Sequence, residues 1–423
     1  MNIKSLLLGS AAALVAVSGA RAADVIMVEP EPVEYVRVCD VYGAGFFYLP
    51  GTETCLRISG QVRLQINVAG DPAENLEGDD YEVNSRVRAR LNFDVREETE
   101  LGLLRAYARV QAQNTSGADN GLEMEQAYVQ LGGLLVGYRD TLWTSDVGGI
   151  EDGLLTDTDL VLGDFNTNQI SYTFAAGGFS ATLGIEDDGT GDAVPDVHGK
   201  LVYSGAWGGV FLSAVYDETF NTEDALGFGQ VLPAELGGFE FVGSPIGLAG
   251  LLPLLDDGSN DAFALKAGAK FEDVFVAGST LAFEGSYAFD PTVYATVGGL
   301  ASTFSISEDN DTIFNPQSGA VPLFVEWSVG AGYSQAVGDF TVAVAGQYGE
   351  LFETTYLTGF VPGTGALTTA TAGGDYYSLV GNVGYDLTNN FGVLAEVQYT
   401  DVDLSELGSF DQTTGFLRFA RNF

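Results

Sequence analysis

Beyond residue 22 this sequence holds no apolar run long enough to cross a bilayer as a helix. The most apolar later stretch, Phe241 to Leu255, is interrupted by Pro245 and Pro253 and reads as loop. Histidine occurs once, at His198, so a nucleophile–base site has at most one imidazole to draw on and a four-ligand metal shell cannot be filled. Flanked at the same parity by Asp196 and Lys200, His198 is expected to line an interior or its rim, and no enzyme, cofactor or metal is expected. Basic side chains are scarce, with 17 Lys and Arg against 58 Asp and Glu for a formal net charge of −41, which excludes nucleic-acid binding. Only 12 prolines and a low density of charge also set the chain apart from a disordered acidic tail.

What the chain does have is alternation. Gln61 to Val68 places Val62, Leu64, Ile66 and Val68 on one face and Gln61, Arg63, Gln65 and Asn67 on the other. Arg86 to Arg96 and Leu104 to Gln111 repeat the pattern, with arginines always on the polar face. Thirteen further segments follow, near 123–131, 133–139, 168–175, 178–186, 197–204, 208–216, 261–271, 278–289, 325–334, 339–348, 375–386, 390–400 and 413–423. The 56 glycines and the many tyrosines and phenylalanines suit twisted, tightly turned strands. Together they specify an all-β fold, a 16-stranded antiparallel transmembrane β-barrel whose apolar face meets lipid and whose polar face meets water. Short connections such as 97–100, 175–178, 205–208, 335–338 and 386–390 alternate with long ones, which puts the short turns and both termini in the periplasm. The stretches 221–257 and 291–322 read as external loops.

Residues 1–22 have a positive start, an apolar core from Leu6 to Val17 and Ala20-Arg21-Ala22 at the end, the form of a signal peptide. The remaining residues 23–423 form one barrel domain, preceded over 23–59 by a segment holding both cysteines. Cys39 and Cys55 in an oxidising compartment are expected to pair and close a small loop.

A sixteen-stranded lumen is too wide for side chains to fill, so a segment must narrow it. The connection from Asp140 to Thr167 is the expected obstruction, and it carries Asp146, Glu151, Asp152, Asp157, Asp159 and Asp164. Eight of the 13 arginines fall between Arg57 and Arg109, and Arg63, Arg86, Arg88, Arg90, Arg105 and Arg109 take the inner face because a charge at mid-depth on the lipid face would cost roughly 2–4 kcal/mol. Opposed acidic and basic walls would set a transverse field that orients water and polar solutes. The bland reading is that these arginines rim an opening or pair with Glu97, Glu98 and Glu100.

The segment from Val36 to Arg63, with its two cysteines, resembles the opening of the alphaproteobacterial porin family, and the likeness recurs at 168–174, 178–183 and 196–203. The resemblance implies a homotrimer of sixteen-stranded barrels in the bacterial outer membrane, embedded in outer-membrane lipid. It also implies an eyelet made by the third long loop and passive diffusion of small hydrophilic solutes and ions. The named arginines would form a basic ladder and the loop acids the wall facing it. The final strand ends on Phe423, and a terminal aromatic resembles the signal read by the barrel-assembly machinery. Arg421 departs from the alternation and is expected to reach headgroups at the membrane edge.

Two other functions compete: a substrate-selective outer-membrane channel, and a plugged barrel acting as a structural protein or adhesin. Inward aromatics such as Tyr107, Phe211 and Tyr376 are too dispersed to form a sugar-binding ladder, and steady conductance separates a porin from a plug.

Overall fold

The computed structural model describes residues 37–70, 81–150, 152–187, 193–218, 262–297, 323–360, 367–405 and 408–423. Residues 1–22, Glu151, all of 221–257 and most of 291–322 lie outside them. A two-residue strand β1 (Phe47–Tyr48) precedes β2 (Cys55–Gly70), β3 (Tyr81–Thr99), β4 (Gly102–Thr115), β5 (Ala118–Leu131) and β6 (Leu134–Asp140). Then come β7 (Asn166–Ala176), β8 (Phe179–Glu186), β9 (Asp196–Gly205), β10 (Gly208–Asp217), β11 (Ala262–Glu272) and β12 (Ser279–Ala288). The chain finishes with β13 (Val325–Val337), β14 (Phe340–Phe360), β15 (Leu367–Thr388), β16 (Phe391–Leu404) and β17 (Gly408–Asn422). Strands β2 to β17 are the sixteen expected from the alternation, and each pairs antiparallel with the next.

The sheet closes on itself. β17 pairs with β2 from Thr414↔Ala69 to Asn422↔Gln61, so no edge is left to seek another chain. Gly60 and Phe423 exchange both backbone hydrogen bonds, at 2.9 and 3.0 Å, and the Phe423 ring lies against Gly60. Arg421 sits at the tight-turn end, where Nη1 reaches the Asn390 carbonyl in the neighbouring turn at 3.3 Å.

The burial pattern is inverted relative to a water-soluble protein. Val62 is 50% exposed while its neighbour Gln65 is 7% exposed, because apolar residues face outward and polar ones inward. The inner layer is accordingly rich in Gln, Ser, Thr and ionisable side chains, including His198, Lys200 and Lys266. Connections at one end are tight. At Gly208 (φ 113°) a Cβ would lie 2.0 Å from the Lys270 carbonyl, so only glycine lets β10 start there.

Ahead of the barrel, Cys39 and Cys55 form a disulfide across a separation of 16 residues, and Phe46 is buried beside it. Closing a loop of this length limits the unfolded chain by about 3 kcal/mol in the entropy model. The segment is further held by arginines, with the Arg57 and Arg96 guanidinium groups 4.9 and 5.0 Å from the Phe46 ring.

Candidate functional site

Residues 141–165, between β6 and β7, fold into the lumen because inward side chains of the opposite wall supply partners for their backbone. Glu186 on β8 accepts from the Leu142 amide and from the Thr141 hydroxyl, each at 2.6 Å. Lys200 on β9 donates to the Ser145 carbonyl, and Lys266 on β11 meets Asp152 at 2.5 Å. Glu284 on β12 accepts from the Gly153 amide, and Gln347 on β14 donates to the Leu160 carbonyl at 3.0 Å. At the far side Glu396 on β16 accepts from the Asp157 and Thr158 amides at 2.7 and 2.9 Å. Each bond is made out of bulk water, where leaving such a group unpaired would cost about 1–3 kcal/mol.

The loop is seated by shape as well. Leu142, Ile150 and Leu154 press against the wall where the facing residue is glycine: Gly184 under Leu142, Gly209 under Ile150, and Gly330 and Gly332 under Leu154. Leu154 and Leu160 pack on Ala282, Ala345 and Val380. Trp143 is fully buried, donates to the Leu162 carbonyl at 3.1 Å and packs edge-on to Tyr294. Tyr294 belongs to a short 3-10 turn at Val293–Ala295, so the start of the 291–322 connection, read from sequence as external loop, dips inward to cover the base of the inner loop.

Facing this loop are β2 to β6 and β17, which carry the arginines. Arg63 and Arg88 stand directly opposite each other across the β2–β3 ladder. Arg88 grips the Gln113 carbonyl oxygen with two nitrogens, and Arg90 grips Gln111 in the same way while meeting Glu125 at 2.7 Å. Glu125 is the extra residue of a bulge between β4 and β5, which turns its side chain inward to Arg90. Lower down, Asp94 is buried beneath three arginines, with Arg96 and Arg105 both bidentate and Arg57 at 3.5 Å.

Between wall and loop lies a cavity of about 450 Å³. Arg105, Arg109 and Arg139 line one side, and Asp146, Asp159 and Asp164 line the other. The basic side is stiffened by rings: Tyr107 and Tyr128 stack at 5.2 Å, Arg105 lies 4.9 Å from the Tyr107 ring, and Arg139 lies 5.4 Å from the Tyr128 ring.

Burial raises the Asp159 carboxyl well above the usual carboxylate range, with the charges of Asp164 and Asp152 adding to it. Burial and the nearby Asp140 charge raise Asp164 as well. A carboxyl raised in the folded state holds its proton more tightly there, so its contribution to loop seating is fully present below about pH 4 and is lost as pH rises through the raised value. Asp159→Asn is expected to flatten that fall, since asparagine tolerates the positive φ of 43° at this position. Amide exchange at Leu154 and Leu160 between about pH 4 and pH 8 checks it; an equal pH dependence in both proteins would refute it.

Of the acids expected on the inner loop, Glu151 lies outside the described residues, and the others do not all face arginines. Asp146 pairs with Arg139, Asp157 with Arg418, and Asp152 turns away into the wall to Lys266. Arg86 faces inward by parity, and Arg109 donates through Nε to Asn92 at 3.2 Å and lies over the Tyr107 ring. The alternative pairing of the ladder with Glu97, Glu98 and Glu100 is not seen among the described residues; Glu97 accepts from Thr54. His198 has inward parity yet is closed off from the lumen, with Nε2 3.1 Å from Glu186 Oε2 and its ring 4.8 Å from that of Tyr294. Sequence reading missed Arg418, Lys266, Glu284 and Glu396. A charge at inward parity on a far strand was the available signal, but nothing in the sequence says which loop atom it meets.

A family model described as "Porin subfamily" matches residues 24–418. Porin Omp2b of Brucella suis is 44% identical over 243 residues, covering 51% of this chain and 66% of that protein. Porin Omp2b of Brucella melitensis is 43% identical with the same coverage. The aligned part therefore spans just under two thirds of these relatives' own length. Among solved structures, the outer membrane channel DcaP of Acinetobacter baumannii superposes with a TM-score of 0.57 at 12% identity, over 89% of this chain and 99% of that one. Salmonella typhi OmpF in complex with daunomycin gives 0.51 at 11%, over 88% and 98%, and an anion-selective porin from Comamonas acidovorans gives 0.50 at 15%, over 88% and 100%. At these identities the solved structures are likenesses of fold alone.

Proposed function

This chain belongs to the Porin subfamily and is a β-barrel of the bacterial outer membrane, and from that premise we propose that it is a water-filled channel for passive diffusion of small hydrophilic solutes and ions. The observation that carries the reading is the charged cavity of about 450 Å³ left beside a loop that is tied to the opposite wall. A loop so tied narrows the lumen without needing to plug it. The arginines of β2 and β3 form one side of the filter: Arg63, Arg86 and Arg88 have no carboxylate partner among the described residues and present uncompensated positive charge to water. Residues 1–22 act as the export signal.

Purified protein in a planar bilayer is expected to carry a steady current, which a plugged barrel would not. Changing Arg63, Arg88 and Arg90 to glutamine is expected to move the reversal potential in a salt gradient toward cations by several-fold in permeability ratio. An unchanged value would remove these side chains from the filter.

Assembly as a homotrimer through the outer face of β2 to β4 is part of the same proposal. That face is aliphatic and small, with Val62, Leu64, Val87, Ala89, Ala106 and Ala108 around the single ring of Phe93 at this level. From β7 to β16 the outer face carries an aromatic belt that includes Tyr172, Phe174, Tyr203, Phe283, Tyr287, Phe340 and Tyr385, as a lipid-facing surface does. Small side chains allow close approach between sheets. Ala108→Trp is expected to yield monomers on native gels, and intact trimers would exclude this face.

A further inference from the structure

The cavity beside the inner loop displays charges that a single class of solute would complete. On the basic side, Arg109 donates through Nε to Asn92 and, among the described residues, has no other hydrogen-bond acceptor and no carboxylate partner. Arg139 meets the exposed Asp146 through Nη2 at 3.3 Å and keeps a buried Nε without a partner. On the acidic side, Asp159 and Asp164 have no basic partner among the described residues; Asp164 accepts from the Thr144 hydroxyl at 3.3 Å. Both carboxyls are raised by burial and by neighbouring acids, the condition of a site short of positive charge.

A simple anion entering here gains the arginines but faces two carboxylates, and a simple cation meets the reverse. A neutral polar solute can hydrogen-bond but cannot neutralise either wall. A solute with an ammonium and a carboxylate at its two ends meets both walls with opposite charge at once. The cavity volume of about 450 Å³ falls in the range of about 300–1,000 Å³ typical of small-molecule sites.

We propose that this cavity is a binding subsite for zwitterionic solutes of the free amino acid and short peptide class, the carboxylate on Arg109 and Arg139 and the ammonium on Asp159 and Asp164. The proposal rests on the channel reading above. Tyr107 and Tyr128 act as positioning residues: stacked on each other and flanked by Arg105, Arg109 and Arg139, they fix the guanidinium planes that a carboxylate must meet edge-on. Binding has to stay weak, because a solute that enters must also leave.

The test is current block in planar bilayers by four solutes of similar size: glycylglycine as the zwitterion, N-acetylglycinamide as the neutral form, glycylglycinamide as the cation and N-acetylglycinate as the anion. Block is read relative to each protein's own open-channel current. Glycylglycine is expected to block at concentrations about tenfold lower than the other three, a preference lost in Asp159→Asn/Asp164→Asn and in Arg109→Gln. Tyr107→Leu is expected to weaken the zwitterion block and Tyr107→Phe to restore it, which a generally loosened barrel would not show. Equal block by all four solutes, or a preference that survives the double asparagine variant, would overturn the subsite while leaving the channel reading intact. Absence of any steady current would overturn both.

Discussion

A channel with methionine in place of Lys266 is expected to lose roughly 3–5 kcal/mol of inner-loop seating and to conduct in bursts rather than steadily. Lys266 is 1% exposed, its ammonium sits 2.5 Å from Asp152 Oδ2, and it also lies 4.6 Å from the centre of the Trp143 ring. Removing it strands the buried Asp152 carboxylate beside Glu284, with only Lys200 left as a nearby cation. The same reasoning gives a control: Lys266→Met with Asp152→Leu removes both charges and is expected to recover much of the loss, because a matched apolar pair can replace a buried ion pair. Single-channel noise and protease sensitivity within 141–165 read the effect. Quiet current and full protection in the single variant would show that this ion pair does not hold the loop.

Gly332→Val is expected to open the channel by a different route. A Cβ at Gly332 would stand 1.9 Å from the Leu154 carbonyl oxygen, and at Gly330 it would stand 2.5 Å from Leu154 Cδ1. The first clash is with backbone, which cannot swing aside as a flexible side chain does, so the loop must lift off the wall. Lifting it takes Leu154 and Leu160 out of their packing with Ala282, Ala345 and Val380, a loss of order 2–5 kcal/mol per large residue displaced. Single-channel conductance is expected to rise while the barrel keeps its strand signal in circular dichroism. Conductance equal to that of the parent would mean that the loop does not set the bore.

The barrel was legible in the sequence because the environment imposes a period of two on every strand. Val62, Leu64 and Ile66 must meet hydrocarbon and Gln61, Arg63 and Gln65 must meet water, and no tertiary detail changes that requirement. The sixteen segments and the Cys39–Cys55 pair therefore match the structure to within a few residues at most ends, the larger extensions being at β14 and β15, where the strands run on past the lipid-facing core of the pattern. The inner loop was legible only as a run of acids. Its path is set by contacts across the lumen, such as Asp157 to Arg418 and Thr158 to Glu396, which join residues more than half the chain apart and leave no local trace. The same limit explains His198, whose parity was readable but whose cover, Tyr294, comes from a distant connection. The glycines at 184, 209, 330 and 332 look in sequence like strand weakeners; only the seated loop shows that they are sockets.

The seam between β17 and β2 joins the first and last long strands of the sheet, with Gln61 donating to Asn422 across 361 positions. Because closure entropy grows with the logarithm of the span, this seam costs about 4 kcal/mol more to close than a tight hairpin of the sheet. The cylinder is therefore an all-or-none object: until the last residue arrives, two raw flanks face each other, and every nascent copy has to be shielded from pairing with its siblings.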